Sequence, residues 1–499
     1  MQSQKLYEEY QSHLQQIADV KYATAVLQWD QETYMPPKGA GFRARQTATL
    51  SEWAHRLFTQ ESFRDLLLEL NSRDDLSSGQ KRNVELSWYD YSQQEKLSAA
   101  FVRTMSELVS KSYQSWMAAR RQNDYSVFSP DLSKLVELKK QEADMLGYEG
   151  HPYNALLNQF ERGATTGLLD RVFAQLQAPL KELLTQISAQ PSVPDDFLRQ
   201  AFPKDQQWKF GMEVLRQMGF DFEAGRQDIS EHPFTTNFSS RDVRVTTRIH
   251  ENDFTSMTWS CIHEGGHALY EQGLPEEAYG LPLGEFTSLS IHESQSRLWE
   301  NNVGRSIDGW AHFYPVAQQY FPAQLGHVPV EQFYRAINKV RASLIRTEAD
   351  ELTYHFHVLI RYELEKKVLE GNLQVNDIPA WWNARYKELL GVDVPDNLHG
   401  CLQDVHWSHG SFGYFPTYSL GSFYAAQLFH AAGQQVPNLA DEIRKGNFQP
   451  LLSWLRINIH SHGRRWTSEE LCERVTGAPL DIEHFMRYAR NKYQHIYQF

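Results

Sequence analysis

Cysteine is scarce in this sequence: there are three in 499 residues, Cys261, Cys401 and Cys472, far apart and with no CxxC pair. An odd, scattered set excludes a disulfide-stapled scaffold and a zinc-ribbon spacing, and it fits a reducing compartment. Long apolar runs are missing too, since nowhere do 18 apolar residues follow one another, and no membrane partner is expected. The opening stretch MQSQKLYEEYQSHLQQIADV has neither an apolar core nor a small-residue cleavage pattern, so a cytoplasmic location is expected. Glycine (28) and proline (20) are sparse and no biased tract occurs, which excludes collagen-like, low-complexity and disordered classes. Basic residues are in deficit, with 49 Lys and Arg against 62 Asp and Glu for a net charge of −13. That balance argues against nucleic acid as a partner.

What is present suits a large folded protein. Hydrophobic residues make up 41% of the chain, enough for an extensive core at this length. Leu6, Tyr10, Leu14 and Ile17 share one stripe of a predicted helix over 4–19, and similar periodicity recurs over 42–58, 62–71, 98–120, 130–146, 167–188 and 205–218. Over 234–250 the pattern changes: Val243, Val245 and Thr247 alternate with Arg244, Thr246 and Arg248 behind a Ser-Ser-Arg-Asp turn, which predicts a small β-hairpin or sheet. Helical periodicity then returns over 254–272, 285–304, 330–370, 375–390, 421–431, 448–460, 467–475 and 480–497. With no internal repeat and no linker, the expected fold class is mainly α, a single large helical domain over 1–499. Its parts would be a helical scaffold over 1–230, a small β region over 231–250 and metal-site helices over 251–499.

The chemistry concentrates at His263-Glu264-Gly265-Gly266-His267. Positions i and i+4 share a helix face, so two imidazoles can hold one metal ion while Glu264 faces a water molecule beside it. Asp253 or Thr255 is placed to cap this helix, Gly273 and Pro275 to end it, and Cys261, Ile262, Ala268 and Leu269 make its other faces apolar. A helix apolar nearly all round is buried. Gly265 and Gly266 each cost about 0.8–1 kcal/mol in a helix interior, a penalty that makes sense where a substrate or another backbone passes close. The third ligand is expected from Glu285 to Arg305. Glu293 is the choice, because a carboxylate completes a two-His, one-Glu zinc set with an open position. Glu300, Glu285 and His292 are rivals, and a plain i,i+4 pair between Glu293 and Arg297 is the structural alternative. The reaction would be metal-assisted hydrolysis, with Glu264 taking the water proton and passing it to the leaving amine.

Further motifs give the chain a recognisable likeness. His232-Pro233-Phe234, Asp242-Val243-Arg244-Val245-Thr246 (DxRxT), the HExxH segment and His292-Glu293-Ser294-Gln295 occur in order. They are followed by Ile345-Arg346-Thr347-Glu348-Ala349-Asp350 (IRxxAD) and by Gly400 to Trp407 (GxxQDxHW). Together they resemble the thermostable metallocarboxypeptidases of the carboxypeptidase Taq family, from Trp29-Asp30-Gln31-Glu32-Thr33 and Met35-Pro36 to Lys492-Tyr493, with no departure at a matched position. The resemblance implies removal of single residues from the free C-terminus of peptides, with broad specificity and poor action next to proline. It implies one Zn2+ per chain, or Co2+ in some members, held by His263, His267 and Glu293, with Glu264 as general base. It also implies a neurolysin-like fold with a deep central active-site groove, and a homodimer.

A carboxypeptidase must recognise a terminal carboxylate, and an arginine fork suits that. Arg346 is the first candidate, on the long helix expected over 330–370, with Arg244 in reserve; an i,i+4 pair of Arg346 with Asp350 is the structural alternative. The Gly- and Tyr-rich segment Gly410 to Tyr418 reads as a mobile loop. On it Tyr418, then Tyr414, is the candidate donor to a developing oxyanion. His232 and His406 are candidates for orienting ligands or substrate, whereas His250, His355 and His357 read as structural. Two other readings remain open: an oligoendopeptidase or dipeptidyl carboxypeptidase with the same metal site, and a non-catalytic peptide-binding scaffold, which the intact Glu264 argues against.

Overall fold

Stripes of apolar residues set where the helices meet. In the computed structural model, which describes residues 2–499, the helix Gln2–Thr33 buries Tyr7, Tyr10, Leu14 and Ile17. These residues share a core with Phe63, Leu67 and Leu70 of Glu61–Asn71 and with Val84, Leu86 and Tyr91 of Ser78–Glu95. Side-chain caps mark several starts: Ser98, Thr165, Asp253, Ser288, Ser306 and Thr467 each accept a backbone N–H of the helix they precede. The described residues form a mainly α fold with one three-stranded sheet. Among the described residues no helix is long and apolar enough to cross a membrane.

The chain forms two compact units. The first comprises the chain up to Glu95, Pro194–Ile337 and Tyr424–Leu480; the second comprises Lys96–Val193, Asn338–Phe423 and Asp481–Phe499.

The first unit holds the sheet. Strands β1 (Gly225–Ile229), β2 (Thr235–Ser239) and β3 (Asp242–Thr247) lie in the order β1-β3-β2, with β3 parallel to β1 and antiparallel to β2. The hairpin expected over 234–250 is the β2–β3 pair; β1 is an addition. Val243 and Val245 are buried, and β2 and β3 pack against the helix Phe254–Glu271 that carries the HExxH segment. The helix Leu289–Arg297 lies against the same helix and continues into a π-helical turn, Leu298–Val303, closed by Gly304 N–H donating to Trp299 C=O at 2.7 Å.

In the second unit, the helix expected to run unbroken over 330–370 is interrupted. After Val330–Ile337, which belongs to the first unit, Asn338–Thr353 carries only a short 3-10 turn, Arg346–Glu348, before the helix Tyr354–Glu370. Side chains take the backbone groups that a helix would have paired. Asp350 accepts from the N–H groups of Arg341, Leu352 and Thr353, and Gln403 accepts from Arg346 N–H while donating to Leu344 C=O.

Candidate active site

His263 and His267 stand one turn apart on the HExxH helix, and Glu293 faces them from the helix Leu289–Arg297. The two helices approach at Gly266, where a Cβ would lie 2.7 Å from Ser296 Cα and 2.8 Å from Gln295 O. The glycine thus admits another backbone, one of the two reasons its presence suggested. A Cβ on Gly265 would instead meet the side chains of Leu215 and Met218. Gly273, just past the helix, makes room for His460, which meets Gln295 Oε1 through Nε2 at 3.0 Å and so supports the Glu293 helix from outside.

One ligand atom from each of His263, His267 and Glu293 lies within 4.8 Å of the others. The two Nε2 atoms stand 3.9 and 3.6 Å from Glu293 Oε2. These separations are too long for hydrogen bonds. They approach the spacing of atoms around one ion, since metal–ligand bonds of about 2.0–2.2 Å at tetrahedral angles set ligand atoms roughly 3.3–3.6 Å apart. Two imidazoles and a carboxylate are also the donor set that zinc and similar divalent ions accept.

The surroundings leave those three atoms facing one another. His263 turns Nδ1 to Glu300 Oε2 at 2.9 Å, and Arg297 donates through Nε to Glu293 Oε1 at 2.7 Å, so the opposite oxygen faces the histidines. Arg297 and Arg305 also donate to Glu300. Burial works against the Glu300 charge, but Arg297, the His263 bond and Arg305 outweigh it and hold the carboxyl well below its usual range. The three rivals for the third ligand therefore have other partners: Glu300 supports His263, His292 lies against Nδ1 of His267, and Glu285 is paired with Arg464. Glu264 is buried; Thr235 of β2 donates through Oγ1 to Glu264 Oε2 at 2.6 Å. Burial raises its pKa, against the opposing charge of His263. Cys261 is a buried thiol pushed up to about 12 by desolvation, which leaves it inert.

The second unit gathers a different group. Arg346 lies on the 3-10 turn rather than on a helix, and its partner is not Asp350: Nε and Nη2 donate to Asp404 Oδ1 at 3.0 and 2.9 Å and Nη1 to Tyr354 Oη at 2.9 Å. Arg361 donates to the other Asp404 oxygen at 2.7 Å, so two buried guanidinium groups share one carboxylate. Burial disfavours the Asp404 charge, but the two arginines hold its pKa far below the ordinary value. His406 is pulled down to about 3 by burial and is neutral; its Nε2 lies 3.3 Å from Tyr418 Oη, and its ring lies against Tyr414 and Phe415. Tyr418 stands in the first turn of the helix Pro416–Gln435, with its ring 4.9 Å from the Arg346 guanidinium carbon.

The Gly- and Tyr-rich segment is anchored, which corrects the expectation of a mobile loop. Phe412 and Phe415 are buried, and Gly413, at φ +99°, packs its α-carbon onto the Leu156 backbone while its N–H donates to Glu365. His355 and His357 are buried structural groups, bonded through Nδ1 to Ser419 and to Tyr386. In the first unit, Arg244 on β3 pairs with Asp242 and lies over Trp29 and Phe238, and His232 is exposed in the turn ahead of β2.

A family model for carboxypeptidase Taq (M32) metallopeptidases matches residues 9–493. The chain belongs to this family. Carboxypeptidase 1 of Bacillus subtilis is 38% identical over 491 residues, covering 98% of both chains. Thermostable carboxypeptidase 1 of Thermus thermophilus is 40% identical over 487 residues, covering 95% of both. Among solved structures, the M32 carboxypeptidase of Deinococcus radiodurans R1 superposes with a TM-score of 0.98, at 41% identity over 99% of this chain and 100% of that one. This M32 member is therefore a metallocarboxypeptidase, a peptide hydrolase whose family uses a divalent metal. Sequence reasoning missed Thr235, Asn237 and Glu271 around its histidines. The first two lie in a strand that contacts the HExxH helix only in the folded molecule, and Glu271 had one legible signal: it continues the i, i+4 row of His263 and His267.

Proposed function

We propose that this enzyme is a zinc carboxypeptidase that releases single residues from the free C-terminus of peptides with broad specificity. The observation that carries the reading is the convergence of His263, His267 and Glu293 beside Glu264, in a chain of this family. His263, His267 and Glu293 would hold the ion. Zinc there supplies Lewis acidity, polarising a peptide carbonyl and bringing the pKa of water to about 7. Glu264 takes the proton of the attacking water and returns it to the leaving amine nitrogen. Thr235 engages Oε2, so the proton is taken on Oε1. Arg297, bonded to Glu293 Oε1, keeps the liganding oxygen in register with the histidines.

The Arg346 cluster supports recognition of the substrate's terminal carboxylate through charge. Two arginines share one aspartate while His406 is neutral, so the group carries a cation in excess, although the Arg346 fork is engaged by Asp404 and Tyr354. Tyr418, resting on Arg346, is the proposed donor to the oxyanion, with Tyr414 and His406 bracing its ring.

The test is Glu264→Gln. It should keep one equivalent of zinc, read by elemental analysis, and lower kcat by about 10²–10⁴-fold. A variant with near-normal turnover would remove Glu264 from the mechanism.

A further inference from the structure

His267 meets another histidine. Its Nδ1 faces Nδ1 of His292 at 2.5 Å, and His292 turns Nε2 to Glu271 Oε1 at 2.7 Å. The second Glu271 oxygen accepts from Asn237 Nδ2 at 2.7 Å. Glu271 is only 3% exposed and stands one turn beyond His267 on the same helix; His292 directly precedes Glu293, and Asn237 belongs to β2. The His292 ring is held edge-on by Phe286 at 4.8 Å and lies 5.4 Å from Tyr270.

The direction of each hydrogen bond follows from proton count. Two Nδ1 atoms in contact share one proton. If His267 gives Nε2 to a metal ion, its own proton sits on Nδ1 and must be donated. His292 then accepts on Nδ1, its proton sits on Nε2, and the Glu271 carboxylate accepts that proton. We infer that His292 and Glu271 form a relay that locks His267 in the tautomer able to bind metal, with Asn237 holding Glu271 in place. They are positioning residues, not ligands, and the inference rests on the reading of His267 as a metal ligand. His263 needs no relay, because Glu300 meets its Nδ1 directly. Both ligand imidazoles thus end on buried carboxylates, by chains of different length, and such partners orient the ring and raise its basicity.

The experiment is zinc titration of metal-stripped full-length protein against a chromophoric chelator, for wild type, Glu271→Gln, His292→Leu and the double variant. Each single substitution should weaken zinc binding about 10–100-fold. Because Glu271 acts only through His292, the double variant should be no more than about threefold weaker than His292→Leu. Circular dichroism and thermal melts of the metal-free proteins check folding. Should a variant fail to fold, Asn237→Ala, which removes one hydrogen bond from a strand, should still weaken zinc binding at least about threefold. Zinc affinities within threefold of wild type, or losses that multiply fully in the double variant, would overturn the relay. Wild type that takes up no zinc would overturn the metal site along with it, whereas tight wild-type binding with unaffected variants would overturn the relay alone.

Discussion

At the scale of single residues, burial sets the chemistry. Glu365 is fully buried in the second unit, where its carboxylate accepts from Trp407 Nε1 and Gly413 N–H, each at 2.8 Å, and from the Tyr153 hydroxyl. Desolvation raises its pKa to about 7 despite those donors and the nearby Arg361 charge. A carboxyl raised on folding stabilises the protein fully below its unfolded pKa and loses that contribution as pH rises through the folded value, a swing of about 3 kcal/mol. Glu365→Gln, which does not titrate, should therefore gain about 2–3 kcal/mol relative to wild type between pH 5 and pH 8. Urea unfolding at the two pH values measures this, and an unchanged difference would mean that Glu365 stays ionised throughout. The grouping of candidate residues was legible where the spacing is local. His263, Glu264 and His267 show themselves by four positions on one helix. Glu300 and His292 read as rival ligands, because only the π-helical turn and the contact between helices reveal that they face Nδ1 of His263 and of His267.

At the scale of elements, the proposed metal site depends on how closely two helices approach. Gly266→Ala would place a methyl group 2.7 Å from Ser296 Cα, where backbone rather than a flexible side chain must yield. Displacing the Glu293 helix should destabilise the fold by about 1–3 kcal/mol and weaken zinc binding, whereas an alanine that leaves both unchanged would show that the approach is not what sets Glu293. Denaturant unfolding and zinc titration read the two effects. The helices with clear stripes and the β2–β3 hairpin were legible in the sequence. Strand β1 was not: Gly-Arg-Gln-Asp-Ile lacks alternating apolar residues, and it forms by pairing with β3. The break at Asn338–Thr353 was hidden for a similar reason, since the groups that replace helical hydrogen bonds include Gln403, far along the chain.

For the whole molecule, the helix-rich class could be read from periodicity, but the division into two units could not, because each is assembled from three chain stretches and no linker marks the junctions. The activity belongs to this scale as well, since a metallocarboxypeptidase is defined by the end of the substrate it attacks and by its need for metal. The most direct measurement is mass spectrometry of peptide digestion by zinc-loaded and chelator-treated protein, with matched peptides that are unblocked, N-blocked or C-amidated. Stepwise loss of single C-terminal residues, indifferent to N-blocking and abolished by amidation and by chelation, is the predicted result. Internal cleavage that ignores amidation, or removal of dipeptides, would contradict it.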